Sequence, residues 1–525
     1  MIFFWAAMTI VFAACEDKNK PSKGSTNDSD STTESISSGE STDSLFNKIY
    51  SRLVITGDML PDGQCDIDVA DEGFTSFLRM MFELQESPCD HLYWIWPDVG
   101  ISELTKNSVT DSNPCIYGFF RRLYYNISMC NSYLTRTESQ KDLATERAEI
   151  RFLRAYFYYY LLDMYGNVPI VTDNTPFQKT PQSTRQQVYN FVASELLAAE
   201  ADLSEAGQKP DYYRVDKAAA WLLLSRLYLN GNVYAGANDF DQAAKYASKV
   251  INSSYDLATT YKWLFMGDND KRSNANDAWK EMIFPARQEG ASTASWGGSI
   301  FLIASMADSS LPPVGITDGW RCYISRAQLV DLFCSNPDNY AGTADELTQR
   351  LGDDRALFCN SYNGNTWQYG TLSTGNFNGG WAIQKWSNLM ADANYVQSDA
   401  QWPDTDIPLM RKAEAYLNYA EAVLRGGAAV NGLTALQAVN IIRTRAHATE
   451  KSTITLDDIL DERGRELYAE GYRRTDLIRF NKFGGNTGYT WEMKGGTAFP
   501  EYMNLYPIPA ELLQTMKDGR QNEGY

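Results

Sequence analysis

The chain has 525 residues, with 47 Lys plus Arg against 66 Asp plus Glu and a net charge of −19. The acidic balance argues against a nucleic-acid binder, which needs a basic footprint for the phosphate backbone. Two histidines, His91 and His447, give thin support to a multi-histidine metal site or to His-dependent catalysis. Hydrophobic residues make up 44% of the chain, enough for a large core. Aromatics make up 13%, a heavy load that is the first functional hint.

Residues 1–14, MIFFWAAMTIVFAA, are apolar and end in small residues before Cys15. The run is too short to span a bilayer and reads as a signal peptide. Phe12-Ala13-Ala14-Cys15 resembles a bacterial lipobox, which makes Cys15 the lipidation site, although no Lys or Arg precedes the run and Phe12 stands where such boxes carry Leu. Residues 16–44 hold 13 Ser or Thr, seven acidic residues and one aliphatic, Ile36. Such a segment cannot bury enough apolar surface to offset its ordering entropy, so 15–44 is expected to be a lipidated, flexible tether. Seven further cysteines match no zinc spacing and read as small buried hydrophobes, with room for one or two disulfides.

From residue 45 the periodicity is mostly helical. Residues 146–165, ERAEIRFLRAYFYYYLLDMY, carry charge early and are apolar nearly all round later, the pattern of a helix driven into a core. Gly166 is a candidate C′ residue and Pro169 a stop. Arg151, Arg154 and Asp163 are expected to be ion-paired scaffolding. Further helices are predicted at 184–203, 216–230, 239–252, 409–425, 433–446 and 456–470, with Asp461 four residues before Arg465 in the last. Alanines at 218, 219, 243, 244 and 247 permit close helix contacts. The fold class is therefore mostly α, with tetratricopeptide-like helix pairs forming a scaffold. Its N-terminal part is 45–261 and its C-terminal part 406–525, the whole making one unit. Residues 262–405 are rich in Gly, Asn, Asp and Trp and are predicted to be an irregular, loop-rich region carrying a few short strands.

The chemistry on offer is aromatic. Trp94 and Trp96 lie in HLYWIWPDVG, Trp296 in ASWGGS, Trp320 in ITDGWRCY, Trp367 and Tyr369 in NTWQYG, and Trp381 and Trp386 in GGWAIQKW. Several are flanked by glycine, which leaves a ring few side chains to hide against. An aromatic ring is a rigid apolar plate with little conformational freedom to lose, and the C–H-rich face of a pyranose packs well on it. A neutral polysaccharide also needs no net charge in its receptor. No P-loop, HExxH, GxSxG or strand-to-helix GxGxxG occurs. A pair of carboxylates brought together by the fold would suffice for a glycoside hydrolase, so that alternative stays open. Asp268, Asp270 and Glu281 surround a polar loop and are weak candidates for a structural calcium without EF-hand spacing.

Six segments carry a family resemblance. They are RAEIRFLRAYFYYYLLDMYGNVPIV at 147–171, RVDKAAAWLLLSRLYLN at 214–230, IPLMRKAEAYLNYAEAVLRGG at 407–427, ERGRELYAEGYRRTDLIRF at 462–480, YPIPAELL at 506–513 and QNEGY at 521–525. Together they resemble the SusD/RagB family of outer-membrane glycan-binding lipoproteins. DEGFTSFLR at 71–79, the Trp-x-Trp at 94–96, the Trp-Gly-Gly at 296–298 and DGWRCY at 318–323 are similar to the α-glucan site of the family's starch-binding founding member. The resemblance implies a glycan-binding arc of Trp96, Trp296 and Trp320, with Trp94 beside it and polar contacts from Asp71 and Arg79. Trp296 keeps a plate where the founding member carries Tyr, and Val99 replaces a polar Asn. The resemblance further implies a non-catalytic cell-surface protein for starch or related α-glucans that hands oligosaccharides to a SusC-like TonB-dependent transporter. It also implies a lipid anchor in the outer membrane, and Glu16 and Asp17 after Cys15 resemble an export signal to its outer face. A non-starch glycan or a peptide as cargo is the other reading.

Overall fold

Ala144–Met164 is the most deeply embedded long helix of the computed structural model, which describes residues 40–59, 61, 65–69, 71–485 and 499–525. Sixteen of its 21 residues are buried, which is why its second half is apolar on every side. Gly166 ends it as expected. Its φ of +75° is left-handed, and its N–H donates to the Leu161 carbonyl at 3.0 Å. The stretch expected to be a signal peptide, the expected lipidation site Cys15 and all but the end of the expected tether lie outside the described residues. The described chain falls within one unit running from Ile36 to Tyr525. Its first helix, Thr42–Ser51, starts inside the stretch expected to be tether, with the Ser41 hydroxyl accepting the Ser44 N–H at 3.1 Å.

The other predicted helices appear as Arg185–Glu200, Lys217–Leu229, Phe240–Ile251, Lys412–Leu424, Ala435–Arg445 and Leu456–Leu467. Their starts are written in their caps. Thr184 with Gln187, Thr434 with Gln437 and Thr455 with Asp458 form capping boxes, and Asp216 accepts the N–H groups of Ala218 and Ala219. Lys217–Leu229 and Lys412–Leu424 both pack on Phe240–Ile251. Ala218, Ala219, Ala243, Ala244 and Ala247 are fully buried there, and the Ser225 hydroxyl reaches the Ala243 carbonyl at 3.0 Å. Two long helices carry no sequence prediction: Pro114–Arg136 and Phe77–Glu86. Both are buried over most of their surface, so neither shows a clean polar face.

Arg151 and Arg154 both pair with Glu195, at 2.8 and 2.5 Å. Asp163 departs from the expected ion pair. Neutral donors hold it: Gln85 at 2.9 Å, Thr475 at 2.6 Å and Tyr234 at 2.7 Å. Arg465 likewise pairs with Glu462, at 2.9 Å. The seven described cysteines are all free thiols, six of them buried.

Residues 262–405 hold short helices and short strands as the composition indicates, and every sheet among the described residues has two strands. Leu92–Trp94 pairs antiparallel with Tyr323–Ser325, setting Trp94 opposite Tyr323. Ile407–Arg411 pairs with Met282–Ala286 and stitches the irregular region to the C-terminal helices. Behind that joint lies a buried ionic cluster. Arg411 bonds Glu281 at 2.9 Å, Glu466 at 2.6 Å and Glu470 at 2.8 Å, with all four side chains at most 1% exposed.

Candidate functional site

Three loops meet at the end of the Leu92–Trp94 and Tyr323–Ser325 ribbon. The first runs from Asp71 to Arg79. Asp71 caps a short turn, Glu72–Thr75, by accepting the Phe74 N–H at 3.3 Å, and Ser76 then caps the helix Phe77–Glu86. Arg79 sits in the first turn of that helix, 8% exposed. Its guanidinium lies between the rings of Phe74 (4.8 Å) and Phe301 (4.6 Å) and bonds Glu83 at 3.0 Å and Asp71 at 3.4 Å. Burial opposes its charge, but the carboxylates of Glu83 and Asp71 outweigh burial and hold its pKa above the ordinary value. Burial pushes the Glu83 carboxyl up to about 7 against the pull of Arg79. Asp71 is half exposed and open to a ligand.

The second loop presents Trp296, and Glu72 fixes its height. One Glu72 oxygen accepts the Trp296 N–H at 3.0 Å, while the other accepts the Ser295 hydroxyl at 2.9 Å and the Thr56 hydroxyl. The Ser76 hydroxyl donates to the Gly297 carbonyl at 2.9 Å. A Cβ on Gly297 would stand 2.1 Å from the Ser76 Cβ, so only glycine allows this approach. The third loop presents Trp320, whose N–H donates to the Ala304 carbonyl at 2.6 Å. Gly319 lies so close that a Cβ would stand 2.2 Å from the Ala307 oxygen. Trp296 and Trp320 are both partly exposed and touch, with ring centroids 5.9 Å apart and planes tilted by 48°.

Trp96 reaches the same place through strand register. Beyond the pair of Trp94 and Tyr323, the Ile95 N–H donates to the Cys322 carbonyl at 2.8 Å. That continuation sets Trp96 level with Arg321, the neighbour of Trp320. Trp96 is partly exposed, and its carbonyl accepts the Ser102 hydroxyl at 3.1 Å. Trp94 has another role than the one expected of it. It is 4% exposed, packed 4.8 Å from Tyr323 and 6.5 Å from Phe301, and it meets Trp96 edge-on at 6.4 Å. Its indole N–H donates to Asp98 at 3.1 Å. It supports Trp96 and offers no face to a ligand. Val99 is 71% exposed.

The glycine-flanked clusters further along are core residues. Trp367, Trp381 and Trp386 are 4%, 2% and 2% exposed. The Trp386 indole N–H donates to the Ala469 carbonyl at 3.0 Å, and the Arg321 guanidinium lies 4.7 Å over Trp367. Tyr369 is partly buried and spends its hydroxyl on Asp331. A fourth indole, without the glycine signal in the sequence, joins the site group. Trp402, partly exposed, lies against Trp296 with centroids 4.7 Å apart and planes at 56°. It lies in DAQWPD, where no glycine flanks it, but Asp399 and Pro403 mark a turn that holds an aromatic at the surface.

The candidate calcium ligands do not converge. Both Asp268 oxygens accept N–H bonds, from Asn276 (2.9 Å), Ala391 (3.0 Å) and Asp392 (2.8 Å). Asp270 pairs with Lys271 at 2.8 Å, and Glu281 is taken by Arg411 and Arg445. Among the described residues no group of three or more His, Cys, Asp or Glu side chains is arranged to hold a metal ion. Asp268 and Glu281 are spent on these partners, while Asp270 keeps one buried oxygen without a hydrogen-bond partner. No helix of the described residues is long and apolar enough to cross a membrane.

Comparison with known proteins places this geometry. A family model described as the SusD family matches residues 280–525, and one described as starch-binding, associating with the outer membrane, matches 83–229. The chain is 38% identical over 519 residues to the starch-binding protein SusD of Bacteroides thetaiotaomicron, covering 92% of both chains. It is 25% identical over 412 residues to a SusD-like protein of Bacteroides ovatus, covering 74% of this chain and 69% of that one. Among solved structures, surface glycan-binding protein A of Bacteroides thetaiotaomicron, in complex with laminarihexaose, superposes with a TM-score of 0.68 at 19% identity, covering 92% of this chain and 98% of that one. A laminarin-binding SusD-like protein superposes with a TM-score of 0.67 at 19% identity, covering 92% and 99%. The likeness runs through both helical parts and the irregular region between them, and the chain belongs to the SusD family of glycan-binding proteins.

Proposed function

We propose that this protein captures starch or related α-glucan oligosaccharides at the cell surface, without cleaving them, and passes them to a SusC-like TonB-dependent transporter in the outer membrane. The observation that carries the reading is the placement of Trp96, Trp320 and Trp296 on three loops at one end of a single ribbon, each partly exposed. The tilted Trp296 and Trp320 plates, in contact with each other, suit a curved chain of sugars better than a flat one, since each pyranose face needs its own plane. Asp71, half exposed beside them, supplies hydroxyl contacts, with Arg79 holding its orientation. Support for starch over other glycans comes from the relative at 38% identity, named for starch binding. Anchoring through a lipid on Cys15 belongs to the same proposal and keeps the receptor beside its transporter.

The non-catalytic reading is supported by how two of the nearby carboxylates are spent. Glu72 is committed to Thr56, Ser295 and Trp296, and Glu83 is fully buried against Arg79. A glycosidase needs two carboxyl groups facing the scissile bond. The deciding experiment is calorimetry with maltoheptaose and laminarihexaose, with a reducing-end assay on soluble starch run alongside. Binding of the α-glucan with no new reducing ends is the expected result. Preference for laminarihexaose would move the cargo to a β-glucan, and new reducing ends would end the non-catalytic reading.

A further inference from the structure

We propose that Trp402 and Trp296 together form an additional sugar subsite that is filled only by longer oligosaccharides. The proposal rests on the glucan reading above and assigns Trp402 a place in it. Trp296 touches Trp320 on one side and Trp402 on the other, at 5.9 and 4.7 Å. The ring contacts therefore run Trp320, Trp296, Trp402, with Trp296 in the middle. The planes of the last pair meet at 56°, so they offer a bent surface and not a closed stack. Trp96 and Trp320 pack on the hydrophobic core, whereas Trp402 is partly exposed and is not among the side chains packed on the core clusters of the described residues. A large apolar ring held in that position leaves area for a ligand to cover.

The loop that carries Trp402 is fastened at several points. Asp399 accepts the N–H groups of Gln401 at 2.7 Å and Trp402 at 2.9 Å. The Ser398 N–H donates to Asp404 at 2.8 Å, and the Asp404 N–H to the Asn388 side chain at 2.8 Å. Two further ties reach the neighbouring loops. The Thr317 N–H and hydroxyl donate to the Ala400 carbonyl at 2.9 and 3.0 Å, binding this loop to the one that carries Trp320. The Gly290 N–H donates to the Pro403 carbonyl at 3.2 Å, binding it to the one that carries Trp296. The plate is thus preorganised, and a sugar landing on it orders little. Gln401 and Asp318 are exposed beside these tryptophans in the chain and supply an amide and a carboxylate for hydroxyls.

The test compares maltotriose with maltoheptaose by calorimetry on the wild-type chain and on W402A, W402F and W402L. W402A and W402L are expected to weaken maltoheptaose binding about tenfold and leave maltotriose within about twofold, with W402F restoring most of the loss because it keeps a ring. Equal losses at both lengths would make Trp402 a mere prop for Trp296 and overturn the subsite. Variants indistinguishable from the wild type would overturn it as well. A wild-type chain that binds neither oligosaccharide refutes the glucan reading on which the subsite rests, whereas normal wild-type binding without a length-dependent effect refutes the subsite alone.

Discussion

Replacing Trp320 by alanine removes one plate of the aromatic arc and leaves its mounting in place. The bond from the residue 320 N–H to the Ala304 carbonyl is a backbone bond and survives the substitution. Full burial of an indole withdraws about 150–250 Å² from water. A pyranose covers one face, on the order of 100 Å², which at about 25 cal/mol per Å² is about 2.5 kcal/mol. That corresponds to about 70-fold in Kd. Truncation also strips Trp296 of a neighbour at 5.9 Å, so the loss of affinity is at least this large. The stability cost is smaller, on the order of 1 kcal/mol, because the ring is already partly in water in the free protein. Calorimetry with maltoheptaose and a thermal melt, run on the same preparation, separate the two effects. A folded W320A variant with wild-type affinity would refute the aromatic arc as the binding surface.

Gly297→Ala is expected to act on Trp296 without touching its ring. Its new Cβ would stand 2.1 Å from the Ser76 Cβ, so the loop must shift. Melting should show a cost of about 1–3 kcal/mol, with glucan affinity falling alongside; unchanged affinity would mean that the loop position does not matter. Glu466→Ala leaves Arg411, Arg445 and Arg355 without their shared buried carboxylate, and denaturant titration should show a loss of about 3–5 kcal/mol. Glu86 provides the pH test. Burial pushes its carboxyl up to about 7, against the N–H bonds from Gly471 and Tyr472. The folded state therefore holds a proton that the unfolded chain has released, so its stabilising contribution is full below about pH 4.5 and is lost as the pH rises through 7. The loss amounts to about 3 kcal/mol. Urea titrations at pH 5 and pH 8 should show a smaller difference for E86Q than for the wild type, and equal differences would place the titration elsewhere.

The helices that were legible in the sequence are those whose ends and faces carry chemistry. Thr184, Asp216, Thr434 and Thr455 announce their helices because a side-chain oxygen there satisfies N–H groups that no earlier turn can bond. Pro114–Arg136 has a start signal too, in Asn113 and Pro114, but its interior mixes Tyr, Asn, Ser and Cys with apolar residues. It is buried nearly all round, so period alone could not mark it. The tryptophans divide on a different principle. A glycine neighbour alone does not leave a ring bare: Trp381 follows Gly380 and is 2% exposed, while Trp402 has no glycine beside it and is partly exposed. What decides is whether the backbone on either side is fastened at the surface or runs inward. That depends on long-range bonds such as Thr317 to Ala400, which local pattern does not contain.

The site owes its form to an exchange of positions between apolar and charged groups. The indoles are partly exposed, whereas Glu83 and Arg79 are buried and Glu72 is partly so. An exposed plate on a loose loop would fold onto the nearest apolar surface, because hydrophobic burial has no direction of its own. Directional bonds are therefore needed to keep it out. Glu72 meets that need for Trp296 through the backbone N–H and the hydroxyls of Ser295 and Thr56, and Asp399 does the same for Trp402. Burial raises the Glu72 carboxyl above its ordinary range while the bonds from Thr56, Ser295 and Trp296 pull it back. Glu72 and Asp399 are thus holding the loops in place. A strongly acidic protein can in this way present an aromatic surface of the kind the proposed glucan binding needs.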